Sequence, residues 1–169
     1  MSVRTANPLD FDALVSLDKE AYGADGAPNE YFLRKLTNFK EGVLVLENQG
    51  TIIGFAVFEK YQGNETPMGF SELNTKKLPK TWAFIAAFTT RSNYSNKDED
   101  LVLLDSIENK AKSMNCQASF VPLSKNHPYE KHDVYDFWES NGYSKCEEIS
   151  WISNSNEKIE CFLLKKELV

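Results

Sequence analysis

Residues 82–90, WAFIAAFTT, carry no charge and are apolar almost throughout. The run is far shorter than the ~18 apolar residues of a membrane span, and no other run approaches that length. Its length and β-branched and aromatic content suit a central strand buried on both faces. A strand of that kind needs a layer on each side of its sheet, so the flanking segments must supply helices as well as partner strands.

They do. Residues 3–6 read as a first strand. Asn7-Pro8 reads as a helix start, with Asn as N-cap and Pro where a backbone N–H would be unpaired anyway. Phe11, Leu14 and Leu17, with Ala13 and Ala21, then recur at helical spacing up to Gly23. Residues 29–39 form a second helix that turns Phe32, Leu33 and Leu36 inward. Residues 43–47 and 51–58 are strands joined at Asn48-Gln49-Gly50, a hairpin signal. Residues 62–80 are a long polar loop. After residues 82–90 and a polar stretch comes a helix with Leu101, Leu104, Ile107 and Ala111 on one stripe. Residues 117–123 follow as a strand, and 134–140 as a helix burying Val134, Phe137 and Trp138, ended by Asn141-Gly142. Residues 144–153 and 158–165 close the chain as a hairpin across Asn154-Ser155-Asn156. The order βααβββαβαββ, without repeats or linkers, predicts one mixed α+β domain over residues 1–169.

Charge and cysteine usage narrow the function. The formal net charge of −6 and the lack of any basic stripe argue against nucleic acid and anionic membranes as partners. Lys76, Lys77 and Lys80 are too sparse to form one. Cys116, Cys146 and Cys161 are an odd set without CxxC spacing, which suits free thiols in a reducing cytoplasm. The start Met1-Ser2-Val3-Arg4 leads directly into strand and helix patterns, so no signal peptide is expected and the predicted localisation is cytoplasmic.

Four stretches in this order resemble the GNAT N-acetyltransferase superfamily: RTANPLDFDAL from Arg4, GFAV from Gly54, NYSNKDEDLVLL from Asn93 and FWESNGY from Phe137. The resemblance covers nearly the whole chain. It implies a GNAT-like fold with a mixed, mostly antiparallel sheet of about six to seven strands and about four helices. It also implies an acyl-CoA-dependent N-acyltransferase that moves an acetyl group from acetyl-CoA, as co-substrate, to an amine of a small molecule, peptide or protein. A homodimer is an open option.

In the family, the strand matching residues 82–90 splays from its neighbour and pairs with pantetheine, and the following turn and helix N-terminus cradle the pyrophosphate. Backbone N–H groups at a helix start attract an anion, and glycines allow close approach. The resemblance thereby assigns Phe88, Thr89, Thr90, Ser95, Asn96, Lys97, Asp98, Glu99, Asp100 and Trp138 to the CoA site. Here the family's two loop glycines are Asp98 and Asp100, with Glu99 between them, and its arginine or glutamine is Ser95. Three carboxylates are thus expected where phosphates dock. At a separation of about 6 Å each like-charge pair costs roughly 1–3 kcal/mol. The helix dipole returns only about 0.3–1 kcal/mol. Asn96 and Glu99 also have capping-box spacing, so plain helix capping is the competing reading, and a metal bridging the acids is a remote one.

Acyl transfer to an amine needs a base for the ammonium proton and an acid for the departing thiolate. The family's usual tyrosine acid falls on Trp138, whose indole is not acidic, which leaves Tyr135 one turn earlier as the candidate acid and Glu59 as the candidate base. The alternative for each is a packed tyrosine edge and a solvated strand-end carboxylate. His127 and His132, near Tyr129, Glu130 and Asp133, match no metal-site spacing, so no metal is expected. The rival to an enzyme is a GNAT-fold binding or regulatory module that has lost CoA binding.

Overall fold

The computed structural model of the chain describes residues 1–67, 70, 78–125, 131–152 and 156–169, the side chains of 25 and 131–133 apart. The elements follow the expected order: β1 (Ser2–Thr5), α1 (Phe11–Tyr22), α2 (Asn29–Asn38), β2 (Val43–Asn48), β3 (Thr51–Gln62), β4 (Thr81–Thr90), α3 (Lys97–Ser113), β5 (Ala118–Ser124), α4 (Lys131–Ser140), β6 (Ser144–Ile152) and β7 (Lys158–Glu167). The seven strands run β1-β2-β3-β4-β5-β7-β6 across one sheet. Pairing is antiparallel at β1/β2, β2/β3, β5/β7 and β6/β7 and parallel at β4/β5. The architecture is the expected mixed, mostly antiparallel one. Among the described residues, no helix is long and apolar enough to cross a membrane.

The chain divides into two compact units that interleave in sequence. The first takes Met1–Phe58 and Ala87–Ile107, the second Glu59–Ala86 and Glu108–Val169.

In the first unit, Asn7 caps a short 3-10 turn, Pro8–Asp10, as half of a reciprocal box with Asp10. Arg4 forks onto Asp10 at 2.7 and 2.9 Å and reaches Glu47 on β2 at 2.8 Å. That fork holds the nearly buried Asp10 carboxyl below its ordinary range. Strands β2 and β3 turn through Gln49 (φ 52°) and Gly50 (φ 77°), the two positive values that a two-residue primed turn requires. Val43, Val45, Phe55 and Val57 then pack against Leu14 and Leu17 of α1 and Phe32 and Leu36 of α2. Leu33 departs from the expectation. It is half exposed, because Phe32 and Leu36, four residues apart, set the inward stripe and leave Leu33 about 100° off it. Asp18, which the sequence pattern did not flag, is buried and accepts the Ala27 N–H at 2.7 Å. Burial pushes its carboxyl up to about 6.

In the second unit, β4 pairs with β5 from Trp82↔Ala118 to Phe84↔Phe120. Trp82 packs on Phe120 (5.2 Å between centroids) and Tyr61 (5.0 Å), and Phe84 on Phe70 (5.2 Å). Ser119, Tyr143, Glu108 and Lys166 form a polar cluster. Tyr143 Oη lies 2.9 Å from Glu108 and 3.0 Å from Ser119, and Lys166 donates to Glu108 at 2.9 Å. Gly142, at φ 96°, closes α4 as expected. Residues 68–69 and 71–77 of the expected loop, with Lys76 and Lys77, and 153–155 of the last hairpin lie outside the described residues.

A glycine test follows from the first unit. A Cβ on Gly42 would collide with the Phe58 carbonyl and come within 2.7 Å of the Phe39 ring. Gly42→Ala is expected to cost about 1–3 kcal/mol in a urea melt. An unchanged midpoint would show that the Phe58 carbonyl and the Phe39 ring give way freely.

Candidate functional site

The candidate residues fall into one set in each unit. In the first unit, β4 ends at Thr90 and the chain turns through residues 91–96 into α3. Asn93 (φ 51°) and Tyr94 (φ 66°) are both left-handed, a conformation that costs a side chain and is commonly left to glycine. The turn is held without one. Asn93 N–H donates to Thr90 O at 3.1 Å, and Ser95 donates to Ser92 O through its N–H at 3.0 Å and also through its hydroxyl. Tyr94 is buried, with its ring stacked on Phe88 at 6.1 Å.

Asn96 caps α3. Its Oδ1 accepts the N–H groups of Asp98 at 3.2 Å and Glu99 at 3.4 Å, while Asp100 N–H bonds Asn96 O at 3.2 Å as the first turn closes. The N-cap half of the anticipated capping box is therefore present.

The expectation of three carboxylates facing a common ligand needs correction. Asp98 is exposed and Glu99 partly so, but Asp100 is fully buried and points inward, where Thr90 Oγ1 donates to it at 2.6 Å. The reason is helical phase. The buried stripe of α3 runs Asp100, Leu103, Leu104, Ile107 in the first unit and Glu108, Ala111 in the second, so Leu104, Ile107 and Ala111 are buried as expected, while Leu101 is only half-buried and Asp100 takes the inward place at the helix start. That phase was readable, since Asp100 lies three and four residues before Leu103 and Leu104. With Asp100 inside, the exposed Arg91 and Lys97 balance Asp98 and Glu99, so the turn's outer surface is close to neutral. The turn fits a phosphate group better than its sequence suggests.

In the second unit, the ladder between β4 and β5 ends after Phe84 and Phe120. Extending the register would set Ala86 opposite Pro122, which has no N–H to give. Tyr135 on α4 donates its hydroxyl over a long 3.4 Å to the carbonyl oxygen of Ser124, the last residue of β5, which is in register with Cys161 of β7. Its ring meets Phe162 edge-on at 5.8 Å, and Lys145 Nζ sits 4.8 Å from its centroid. Burial pushes the phenol above its ordinary value. Glu59, on β3, accepts the Tyr61 hydroxyl at 2.9 Å. Trp138 is fully buried, edge-on to Tyr143 at 5.0 Å. Its indole is engaged in packing. His127, Tyr129 and Glu130, and the side chains of His132 and Asp133, lie outside what is described.

No protein-family model and no curated protein matches the chain. Solved structures do. Chaetomium thermophilum Naa20 in complex with a bisubstrate analogue superposes with a TM-score of 0.74 at 17% identity, covering 99% of this chain and 86% of that one. Ard1 from Thermoplasma volcanium gives 0.75 at 13% identity, over 99% and 97%. GphF, a GNAT-like decarboxylase in complex with isobutyryl-CoA, gives 0.77 at 19% identity, over the whole of both chains. The chain has the GNAT fold. At these identities the likeness establishes the fold and nothing finer.

Asp98 and Asp100 should behave differently on substitution by glycine. Asp98→Gly removes an exposed charge and is expected to cost under about 1 kcal/mol. Asp100→Gly strands the Thr90 hydroxyl and empties buried space, and should cost about 2 kcal/mol or more in chemical denaturation. Equal losses would contradict the inward placement of Asp100.

Proposed function

We propose that the protein transfers an acyl group, acetyl in the first instance, from its CoA thioester to an amine on a small molecule or a peptide. The observation that carries this reading is the parting of β4 from β5 after Phe84 and Phe120, with the Tyr135 hydroxyl on the carbonyl of Ser124, the last residue of β5. A sheet opened at that point leaves backbone groups free to bond an extended chain such as pantetheine. The turn residues Ser95 to Asp100, following Phe88, Thr89 and Thr90, would hold the phosphates. A solved structure of the same fold that holds isobutyryl-CoA supports a CoA thioester as the ligand.

Acyl-CoA supplies an activated carbonyl. The amine nitrogen attacks that carbon, a C–N bond forms and the C–S bond breaks. Glu59 takes the proton that the ammonium must lose, and Tyr135 gives its phenolic proton to the sulfur. The raised phenol keeps Tyr135 protonated at neutral pH, which is the state an acid requires.

Titration of acetyl-CoA into the protein by calorimetry tests binding, and thiol release across a panel of amines tests transfer. Micromolar binding and amine-dependent release are expected, with kcat falling on the order of 10²-fold in Tyr135→Phe and KM for acetyl-CoA little changed. Binding without release, with or without amine, would instead favour a binding module. No binding at millimolar ligand would overturn the CoA reading.

A further inference from the structure

Three oxygens link the buried start of α3 to the surface of the turn. Asp100 Oδ1 lies 2.6 Å from Thr90 Oγ1 and 3.4 Å from Ser92 Oγ, and the two hydroxyl oxygens are 3.0 Å apart. Asp100 and Thr90 are buried, whereas Ser92 reaches solvent. Asp100 Oδ2 is buried too and has no hydrogen-bond partner among the described residues.

Each hydroxyl has one proton, so the charge on Asp100 biases the chain of bonds between two directions, inward to the carboxylate when it is ionised and outward when it is protonated. With Asp100 ionised, Thr90 donates to Asp100, Ser92 donates to Thr90, and Ser92 turns a lone pair outward. With Asp100 protonated on Oδ1, Asp100 donates to Thr90, Thr90 donates to Ser92, and Ser92 turns its proton outward. We propose that this Asp100–Thr90–Ser92 relay sets the polarity of the turn, so that a proton taken up at Asp100 makes Ser92 a donor to a phosphate oxygen. Acyl-CoA binding is thereby coupled to pH. The ligand rests on the reading of the turn given above, while the relay itself does not.

The surroundings place the switch in a useful range. Burial is the main influence and pushes the Asp100 carboxyl up to about 6, against the two hydroxyl bonds, which lower it. Glu99, beside it on α3, raises it slightly. The other charged groups nearby are Lys97 and Asp98 on the first turn of α3, Arg91 on the turn, and Glu20 of α1, which lines a small recess with Thr90, Arg91 and Asn93. The sign is unambiguous. As pH falls through about 6, Asp100 gains its proton, Ser92 becomes a donor, and anion binding tightens.

Dephospho-CoA is the probe of choice, because its pyrophosphate does not titrate between pH 5 and 8, whereas the 3′-phosphate of CoA does. Calorimetry of the full chain should show affinity rising about fivefold from pH 8 to pH 5, the worth of one added hydrogen bond. Asp100→Asn, whose amide can donate as the protonated acid does, should bind at the tighter level throughout. Ser92→Ala, at the surface end of the relay, should bind at the weaker level throughout. A ligand-free readout runs alongside: the carboxyl carbon of Asp100 and the β-carbons of Thr90 and Ser92, followed by NMR, should titrate with one midpoint. An identical pH dependence in the wild type and both variants, or an Asp100 titration that leaves Ser92 unmoved, overturns the proposal. Coupled titration with no binding of dephospho-CoA to any form would confirm the relay and refute the CoA reading instead.

Discussion

Strand β4 is the constraint on which everything else turns. Its first residues belong to the second unit and its last four to the first, and seven of the ten are buried. An uncharged strand of this kind is stable only with neighbours on both edges and cover on both faces. Yet its pairing with β5 extends over only three residues. A buried strand that gives up ladder bonds leaves polar backbone groups to be satisfied elsewhere. Tyr135 reaches the last residue of β5, beyond the point where β4 and β5 part.

The second theme is the handling of buried acids. Asp10, Asp18, Asp100 and Glu108 are all at most 7% exposed, and each is bonded differently. Asp10 faces a guanidinium that favours its charge, and Glu108 has an ammonium and a phenol. Among the described residues, Asp18 is held by the Ala27 N–H and Asp100 by hydroxyls, and burial raises both. The contrast separates structural acids from responsive ones. A paired acid fixes a junction at any ordinary pH, whereas an acid held by neutral donors is sensitive to proton uptake near neutrality.

Periodicity made the fold legible. Glycine and asparagine signals at Asn7-Pro8, Gln49-Gly50 and Gly142 became the cap, hairpin and helix stop they suggested, because local backbone chemistry decides such features. Element ends were less legible, since β3, β7 and α4 extend beyond their expected bounds, β7 because Lys166 and Glu167 pair with Ser119 and Ala118 of β5. The site was legible only as a location. Alignment with a glycine-bearing loop encouraged reading Asp98, Glu99 and Asp100 as one acidic cluster, but a helix turns 100° per residue, and adjacent residues on it seldom share a fate. Nor does sequence predict that Asn93 and Tyr94 adopt left-handed backbone, because stacking of Tyr94 on Phe88 and the bonds at Thr90 and Ser92 are what hold them there.

The cap on α3 bears on how an anion would enter the turn. Asn96 already occupies the N–H groups of Asp98 and Glu99, but at 3.2 and 3.4 Å these contacts are at or beyond the long end of ordinary geometry. Displacing a neutral N-cap costs about 1 kcal/mol. Hydrogen bonds from the same groups to a charged phosphate are each worth about 1.5–3 kcal/mol. Two such bonds exceed the lost cap even after a share is spent on the Asp98 and Glu99 side chains, which Arg91 and Lys97 partly offset. An asparagine cap is therefore a replaceable lid over the helix start, whereas an aspartate at the same position would have competed with a phosphate on equal terms. Burial of Asp100 keeps its carboxylate off the outer surface of the turn, and Asn96 leaves a neutral side chain at the helix start.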